Sequence, residues 1–151
     1  MIIIKTVNKK KIFFIHFRSS DFKIWPSRKF AAILPIKWYI KCIKEIKKKH
    51  KNVFFIILSD DVNLTKNKFN FLKEKIISTD NQYVDFCTMV LLGDGICSAS
   101  SFSWWSSYYS NKIYNKNKKL FLYAPEYWAG HSKEEFFPKY IKSNFFKYIK
   151  V

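Results

Sequence analysis

Three short polar clusters, each directly after an apolar run, contain the side chains best suited to hold a nucleotide. The first cluster is His16-Phe17-Arg18-Ser19-Ser20-Asp21. Arg18 offers a planar fork of donors that fits a phosphate, and His16 can add another hydrogen bond from the same side of the strand. Asp21 would orient Arg18 or cap the following turn. The alternative is a surface Arg–Asp pair beside a buried neutral histidine.

The second cluster, Ser59-Asp60-Asp61, follows another apolar run. Carboxylates at the end of a strand can accept hydrogen bonds from ribose hydroxyls or from the edge of a base. They also suit the N-terminal cap and first turn of a helix, where negative charge is favourable. Both interpretations are open for Asp60 and Asp61.

The third cluster, Ser98-Ala99-Ser100-Ser101-Phe102-Ser103-Trp104-Trp105, leads from a short strand into a helix. Free backbone N–H groups and the helix dipole at such a position favour an anion, which Ser100 and Ser101 would help to bind. A serine-rich cap with aromatic packing is the alternative. We expect Trp104 and Trp105 to be largely structural, with at least one of them packed beneath the serines.

The elements that must position these clusters alternate along the chain. The runs Lys11–Phe17 and Val53–Ser59 are apolar on both faces, as in covered parallel strands, and residues 35–50 between them have helical spacing. The sequence therefore predicts a Rossmann-like α/β fold, a parallel sheet with helices on both faces and ligands at the carboxyl ends of its strands. The later predicted elements are helices at 62–75, 83–92, 103–111 and 136–149, and strands at 96–99 and 120–124.

Composition narrows the class of protein further. The 151 residues are 48% hydrophobic, which excludes a disordered chain, and carry a net charge of +17. This charge attracts phosphates, nucleotides, nucleic acid or an anionic membrane, although the abundance of Lys, Ile, Phe and Asn is also typical of an AT-rich genome. The three cysteines lack CxxC spacing, so we expect neither a disulfide framework nor a bound metal. No run suits a signal peptide or a membrane span, and a cytoplasmic location follows as the expectation.

Five motifs, in their order along the chain, resemble the nucleotide-binding half of the α-1,2-fucosyltransferases. They are HxRxxD, SDD, DFxxM with Asp85, SSFSWW and APxxW. These enzymes form glycosyltransferase family 11, and the resemblance covers residues 13–149. It implies the GT-B arrangement of two Rossmann-like lobes. It also implies inverting, metal-independent transfer from GDP-fucose, a donor substrate rather than a cofactor, to a glycan acceptor.

The resemblance also implies roles for eight residues. Arg18 would bind the β-phosphate with His16 beside it and Asp21 in support. Asp60 and Asp61 would face the ribose or the guanine, and Asp85 would bind the edge of the guanine. Ser100 and Ser101 would bind the phosphate. A second arginine and a glycine that are usual in the first motif of the family are here Ser19 and Ser20.

The amino-terminal acceptor lobe of the family has no counterpart in residues 1–151, which we expect to form a single nucleotide-sugar-binding domain. The chain is then a truncated product, half of a split gene, or a module that needs a separate amino-terminal lobe. Its lysines would touch the inner face of the cytoplasmic membrane, and the general base is not identified. The alternative function is a non-catalytic basic module that binds nucleotides or nucleic acid, although the ordered motifs make nucleic acid the less favoured partner.

Overall fold

A parallel sheet is the centre of the computed structural model, which describes residues 10–131 and 141–151. Within these residues the sheet has six strands: β1 Lys11–Phe17, β2 Val53–Ser59, β3 Lys75–Ile77, β4 Gly95–Ile96, β5 Leu122–Pro125 and β6 Phe146–Ile149. The helices are α1 Ile36–Lys49, α2 Val62–Lys68, α3 Gln82–Leu92 and α4 Ser101–Tyr114. None of the helices among the described residues has the length and apolar character needed to cross a membrane.

The strands lie in the order β3-β2-β1-β4-β5-β6, and all neighbours run parallel. The chain moves outward from β1 to β3, returns to the centre at β4 and continues to the other edge. The carboxyl ends of β1 and β4 are therefore a topological switch point, the place where open α/β sheets form a ligand crevice. The predicted Rossmann-like fold is confirmed.

The two apolar strands form because both of their faces are covered. Phe13, Ile15 and Phe17 of β1 are buried in a cluster with α1, whereas Phe14 is buried on the opposite face in a cluster with side chains of α3 and α4. A period of two sends neighbouring side chains to opposite faces, so a strand covered on both sides has to be apolar throughout. Because both faces of β1 are buried, its position in the sheet is fixed, and this sets where the strand ends and where its polar cluster begins.

The helix α1 confirms the helix predicted at residues 35–50. It starts directly after Pro35 and ends at Lys49, with Ile43 and Ile46 buried and all six of its lysines exposed. The indole Nε1 of Trp38 donates a 2.9 Å hydrogen bond to the carbonyl oxygen of Ile149. The hydroxyl of Tyr39 donates to the carbonyl oxygen of His16 at 3.2 Å. These buried bonds tie α1 to the ends of two strands.

Gly95 allows β4 to lie against β1. It stands opposite Phe14 in the parallel register, and a Cβ added to Gly95 would come within 2.4 Å of the Phe14 ring. Real Cβ atoms do not approach an aromatic ring so closely. A side chain at this position would therefore push apart the two strands that carry the switch point.

The middle of the chain departs from the prediction. The helix predicted at 62–75 ends at Lys68, and Lys75–Ile77 forms the edge strand β3, which the sequence did not indicate. A run of three residues is too short to show a strand period, and Phe69 and Leu72, which are buried beyond the helix, continued the helical pattern. The other differences are shifts of a few residues: α3 and α4 begin at 82 and 101, and β4 and β5 begin at 95 and 122.

The helix predicted at 136–149 is wrong in its described part. Residues 141–145 have no helix, and Phe146–Ile149 forms β6 beside β5, while residues 136–140 lie outside the described residues. Within β6 the ends Phe146 and Ile149 are buried, and Lys147 is exposed. Regularly spaced lysines suggested a helix surface, but a strand of four residues places one lysine outward equally well.

Candidate functional site

An open cleft lies where the chain leaves β1 and β4. Its volume is about 350 Å³. Arg18 and Asp21 line it from the first sequence cluster, and Ser100 and Ser101 from the third. Phe22, Trp25, Ala99, Phe102 and Trp128 complete this switch-point cleft. Two of the three polar clusters thus meet at the edge of the sheet that the fold predicts.

Asp60 holds the loop that follows β1. One carboxylate oxygen accepts the backbone N–H of Ser19 and the other accepts that of Ser20, both at 3.0 Å. The second oxygen also lies 3.3 Å from Nε of Arg18. Partial burial would raise the pKa of Asp60, but the hydrogen bonds from Ser20 and Ser19 and the charge of Arg18 bring it below its usual value. The ionised carboxylate therefore fixes the loop, and the structure places it behind the cleft.

Arg18 lies between two carboxylates and the cleft. Its Nε donates to Asp21 at 3.0 Å, and the side chain is 37% exposed. Both carboxylates contact Nε, and among the described residues neither Nη1 nor Nη2 donates a hydrogen bond to a carboxylate. The two acidic partners therefore orient the guanidinium and leave its terminal N–H groups available to a ligand.

His16 is buried rather than exposed in the cleft. Its Nδ1 lies 2.8 Å from the hydroxyl oxygen of Ser98, so that it joins the end of β1 to the loop after β4. Burial and, to a smaller extent, the charge of Arg18 lower the pKa of His16 to about 4, against an opposing effect of Asp60. The ring is therefore neutral at pH 7, as in the alternative interpretation of this cluster.

The loop after β4 is held by hydroxyl groups. The side chain of Ser100 caps α4 by accepting the backbone N–H of Phe102 at 3.3 Å. Ser103 donates to the carbonyl oxygens of Ser98 and Ser100, both at 3.2 Å. Ser101 is exposed at the first position of the helix and lines the cleft. The cap and the anion site are compatible, because the positive end of α4 opens on the same space as Arg18.

Asp61 and Asp85 do not line the switch-point cleft. Asp61 caps α2 by accepting the backbone N–H of Leu64 at 2.9 Å, as in the alternative interpretation. Asp85 is 9% exposed on α3, and burial raises its pKa although Ser78 donates a 2.6 Å hydrogen bond to it. The ring of its neighbour Phe86 lies 5.3 Å from that of Phe102. Phe102 belongs to the cleft wall, so the link between Asp85 and the cleft runs through its chain neighbour Phe86.

A shallow aromatic depression adjoins the cleft. It has a volume of about 410 Å³, shares Ser101 and Phe102 with the cleft, and is completed by Phe86, Trp105 and Tyr109. Sequence reasoning did not include Phe86 and Tyr109. The spacing of Phe102, Trp105 and Tyr109, which puts them on one side of a helix, was the signal that could have revealed this surface.

The paired tryptophans separate into two roles. Trp104 packs against the apolar clusters on this side of the sheet and donates from Nε1 to the carbonyl oxygen of Ile141 at 2.8 Å. Trp105 is 48% exposed in the aromatic depression. Trp104 packs in the cluster that contains Ala99, next to Ser100, as was predicted for at least one of the two, whereas the half-exposed Trp105 departs from the prediction that both are largely structural.

The strand order and the position of the cleft define a Rossmann-like α/β protein with a ligand crevice at its switch point. The sequence profile described as glycosyl transferase family 11 matches residues 4–137, and the chain belongs to that family. The resemblance inferred from the ordered motifs is confirmed.

Two relatives from Escherichia coli show the extent of the similarity. The chain is 26% identical over 127 residues to the O-antigen biosynthesis glycosyltransferase WbnK, covering 80% of this chain and 40% of that protein. It is 28% identical over 103 residues to an alpha-1,2-colitosyltransferase, covering 64% of this chain and 36% of that protein. The chain therefore spans less than half the length of either relative. No solved structure matches it.

Proposed function

We propose that this chain binds a GDP-sugar, with GDP-fucose as the first candidate, as the donor-binding part of an inverting glycosyltransferase. Membership of glycosyl transferase family 11 supports a reaction between a sugar donor and a glycan acceptor. The observation that carries the proposal is that Arg18 and the N-terminus of α4 open on one cleft at the switch point. A diphosphate needs positive charge and free N–H groups, and this cleft offers both.

In the proposed complex the diphosphate lies between the terminal nitrogens of Arg18 and the first turn of α4. The hydroxyls of Ser100 and Ser101 add neutral donors. When the bond between sugar and diphosphate breaks, negative charge grows on the departing phosphate. Donors already fixed by Asp60 and Asp21 stabilise that charge without having to reorganise.

The guanine would lie in the aromatic depression. Phe102 and Trp105 offer ring faces there, and a purine stacks well on aromatic surfaces. Asp85, the residue before Phe86 in α3, would approach the base from beside this surface. An ionised carboxylate accepts the paired N–H groups of guanine, which adenine and uracil do not present to it. This arrangement would favour GDP over ADP and UDP.

The identity of the sugar and the position of the acceptor complete the proposal. One relative is named for the transfer of colitose, so colitose is a second candidate for the transferred sugar. We further propose that the acceptor binds between this domain and a second lobe in a GT-B arrangement. Closure of two lobes excludes water and assembles the acceptor site, so the 151-residue chain should bind the donor but transfer sugar slowly.

Calorimetry with GDP, GDP-fucose, UDP and ADP tests the donor site. We expect GDP and GDP-fucose to bind more tightly than UDP and ADP. Arg18→Ala should weaken GDP binding by about 2 to 3 kcal/mol, because charged phosphate hydrogen bonds contribute about 1.5 to 3 kcal/mol each. Arg18→Lys should restore part of the loss, since an ammonium cannot form the planar fork. Lys44→Ala, which removes an exposed charge that does not line the cleft, is the matched control.

Equal GDP affinity of the parent chain, Arg18→Ala and Lys44→Ala would remove the switch-point cleft from donor binding. The net charge of +17 favours one other function, a basic module that binds nucleic acid. That function predicts tight binding of single-stranded oligonucleotides with a steep dependence on salt, and no preference for GDP. The same titrations, repeated with an oligonucleotide at two salt concentrations, separate the two functions.

A further inference from the structure

A second cleft lies on the other side of the loop that carries Arg18. Its volume is about 640 Å³, larger than that of the switch-point cleft, and its walls come from the end of β1, residues 23–37, α2, residues 130–131 and Val151. We propose that this second cleft binds the phosphate group of a phosphorylated acceptor. The phosphate site rests on the structure alone, whereas its role toward an acceptor rests on the proposed function.

Positive charge converges on the second cleft from separate parts of the chain. Five basic side chains line it: Lys23, Arg28, Lys29, Lys37 and Lys68. Among the described residues that line it there is no Asp or Glu side chain, and no described carboxylate forms an ion pair with Arg28, Lys37 or Lys68. Elsewhere, Arg18 and Lys147 do contact carboxylates. Three cations without a carboxylate partner among the described residues, on a concave surface, favour an anionic ligand.

Two further groups in the second cleft can serve as hydrogen-bond partners for a ligand. His131 donates from Nε2 to the carbonyl oxygen of Ala32 at 3.2 Å, and its buried Nδ1 is left as an acceptor that has no partner among the described residues. The first turn of α1, at Ile36 and Lys37, also lines the cleft. This helix has no side-chain cap and no acidic residue in its first turn. Its positive end adds to the field of the basic side chains.

The apolar floor of the second cleft indicates a ligand that has an apolar part as well as a phosphate. Phe17, Leu34, Ile36 and Leu64 supply apolar surface between the basic side chains. A bare inorganic phosphate would leave this surface uncovered. A phosphate ester with an apolar organic part would cover it while its phosphate contacts the rim. The planar fork of Arg28 suits phosphate oxygens in particular.

The two clefts stand back to back. The single helical turn Asp21–Lys23 is their common wall, because Asp21 and Phe22 line the switch-point cleft and Lys23 lines the second cleft. A transferase has to bind a donor and an acceptor at the same time. Two separate clefts on one loop meet that requirement.

Phenyl phosphate is a suitable probe because it combines a phosphate with an apolar ring. The full chain, first saturated with GDP, is titrated by calorimetry with phenyl phosphate, phenol and inorganic phosphate. We expect phenyl phosphate to bind more tightly than inorganic phosphate, and phenol not to bind. Arg28→Ala/Lys37→Ala should weaken phenyl phosphate binding roughly tenfold or more, since each contact is a charged hydrogen bond. The matched control is Lys44→Ala/Lys51→Ala, two exposed lysines that line neither cleft.

Vesicles separate the two sources of a phosphate group. Sedimentation with phosphatidylglycerol–phosphatidylcholine vesicles, but not with phosphatidylcholine alone, that is lost in Arg28→Ala/Lys37→Ala would assign the site to a lipid headgroup. Binding of phenyl phosphate without such sedimentation would assign it to a phosphorylated molecule in solution. Either result supports a phosphate site.

Three results would overturn the proposal: equal binding of phenol and phenyl phosphate, equal weakening in both double variants, or displacement of GDP by phenyl phosphate. The proposed function can fail separately. If GDP does not bind but Arg28→Ala/Lys37→Ala still loses phenyl phosphate, the second cleft stands and the donor function falls. If GDP binds in an Arg18-dependent way and phenyl phosphate does not bind, the reverse holds.

Discussion

The loops that leave β1 and β4 are neighbours at the switch point, but they are stabilised by different forces. The loop after β1 is held by charge, through the carboxylate of Asp60 and its bonds to Ser19, Ser20 and Arg18. The loop after β4 is held by neutral serine hydroxyls and by the packing of Trp104.

This difference matches what each loop contributes to the cleft. A long arginine side chain must be restrained to meet a ligand, and two carboxylates on Nε restrain Arg18 without neutralising its terminal nitrogens. The start of α4 contributes backbone N–H groups, which the helix itself holds in place. Neutral hydroxyls are sufficient to cap the helix there. Charged contacts therefore orient the Arg18 side chain, and packing positions the backbone at the start of α4.

Replacing Trp104 should have the largest effect, because the loop after β4 depends on packing. Trp104→Ala should lower the free energy of unfolding by about 3 to 4 kcal/mol, since it empties a space between two apolar clusters and leaves the carbonyl of Ile141 without its donor. The exposed Trp105→Ala should cost less than about 1 kcal/mol. Urea denaturation of both variants measures the difference. Similar losses would show that packing beneath this loop is not what holds it.

His16, which bonds to Ser98, joins the two loops, and its pKa makes that junction sensitive to pH. In the folded chain its pKa is about 4, against 6.5 for a free histidine. As the pH falls below 6.5, the histidine binds a proton in the unfolded chain but not in the folded chain. The free energy of unfolding therefore decreases until about pH 4, and this group contributes up to about 3 kcal/mol to the loss.

The variant His16→Asn isolates this effect. An amide can keep a hydrogen bond to Ser98 but does not titrate. His50 and His131 also have lowered pKa values and contribute in the same direction in both proteins, so the informative quantity is the difference between parent and variant. We expect denaturation curves at several pH values to show a shallower loss for His16→Asn. Parallel losses would place the titrating group elsewhere.

Asp60→Asn tests the charged side of the comparison. The amide keeps the shape of the side chain but loses the negative charge. That charge strengthens the hydrogen bonds from the N–H groups of Ser19 and Ser20 and attracts Arg18. We expect a loss of about 2 kcal/mol in the free energy of unfolding. The neighbouring Asp61→Asn is the control, because asparagine caps a helix about as well as aspartate. If both variants were equally stable, charge would not hold the loop after β1.

Asp85→Asn should produce the smallest of these effects, and it should change the binding of GDP rather than the free energy of unfolding. If Asp85 accepts from guanine, the variant should bind GDP about tenfold more weakly, a loss of about 1.4 kcal/mol, and bind ADP unchanged. Burial raises the pKa of Asp85. GDP affinity of the parent should therefore weaken with falling pH before an ordinary aspartate titrates, and that dependence should be absent in Asp85→Asn. Unchanged GDP affinity would remove Asp85 from the base site.

The sequence predicted best what long patterns specify. β1, α1 and β2 occupy almost the predicted residues, because strands of seven mostly apolar residues and a helix of about four turns are long enough to show a clear pattern. The edge strands β3 and β6 were missed because three or four residues show no period of their own. They form because a neighbouring strand offers unpaired backbone groups, and the local sequence does not record this.

Residue types identified the members of the switch-point cleft but not their partners. The rule for parallel sheets predicted Arg18, Asp60 and Ser101 around one cleft. Arg18 and Ser101 line the cleft, whereas Asp60 does not line it and contacts Arg18 instead. The bonds from Asp60 to Ser19 and Ser20 span about forty residues and depend on the register of β1 and β2. The second cleft was missed altogether, because its basic side chains are scattered among lysines that serve as ordinary surface.

The hydrogen bond from Trp38 to Ile149 has a consequence for the order in which the chain can fold. The two residues are 111 positions apart, and the indole is buried. During synthesis α1 leaves the ribosome long before the carbonyl that accepts its indole N–H. A first β-α-β unit that forms early would therefore keep an unpaired polar group and an uncovered ring until the last strand arrives. We expect ribosome-bound chains that stop before residue 146 to be readily cut by protease at α1, and released chains that include residues 146–151 to be protected there.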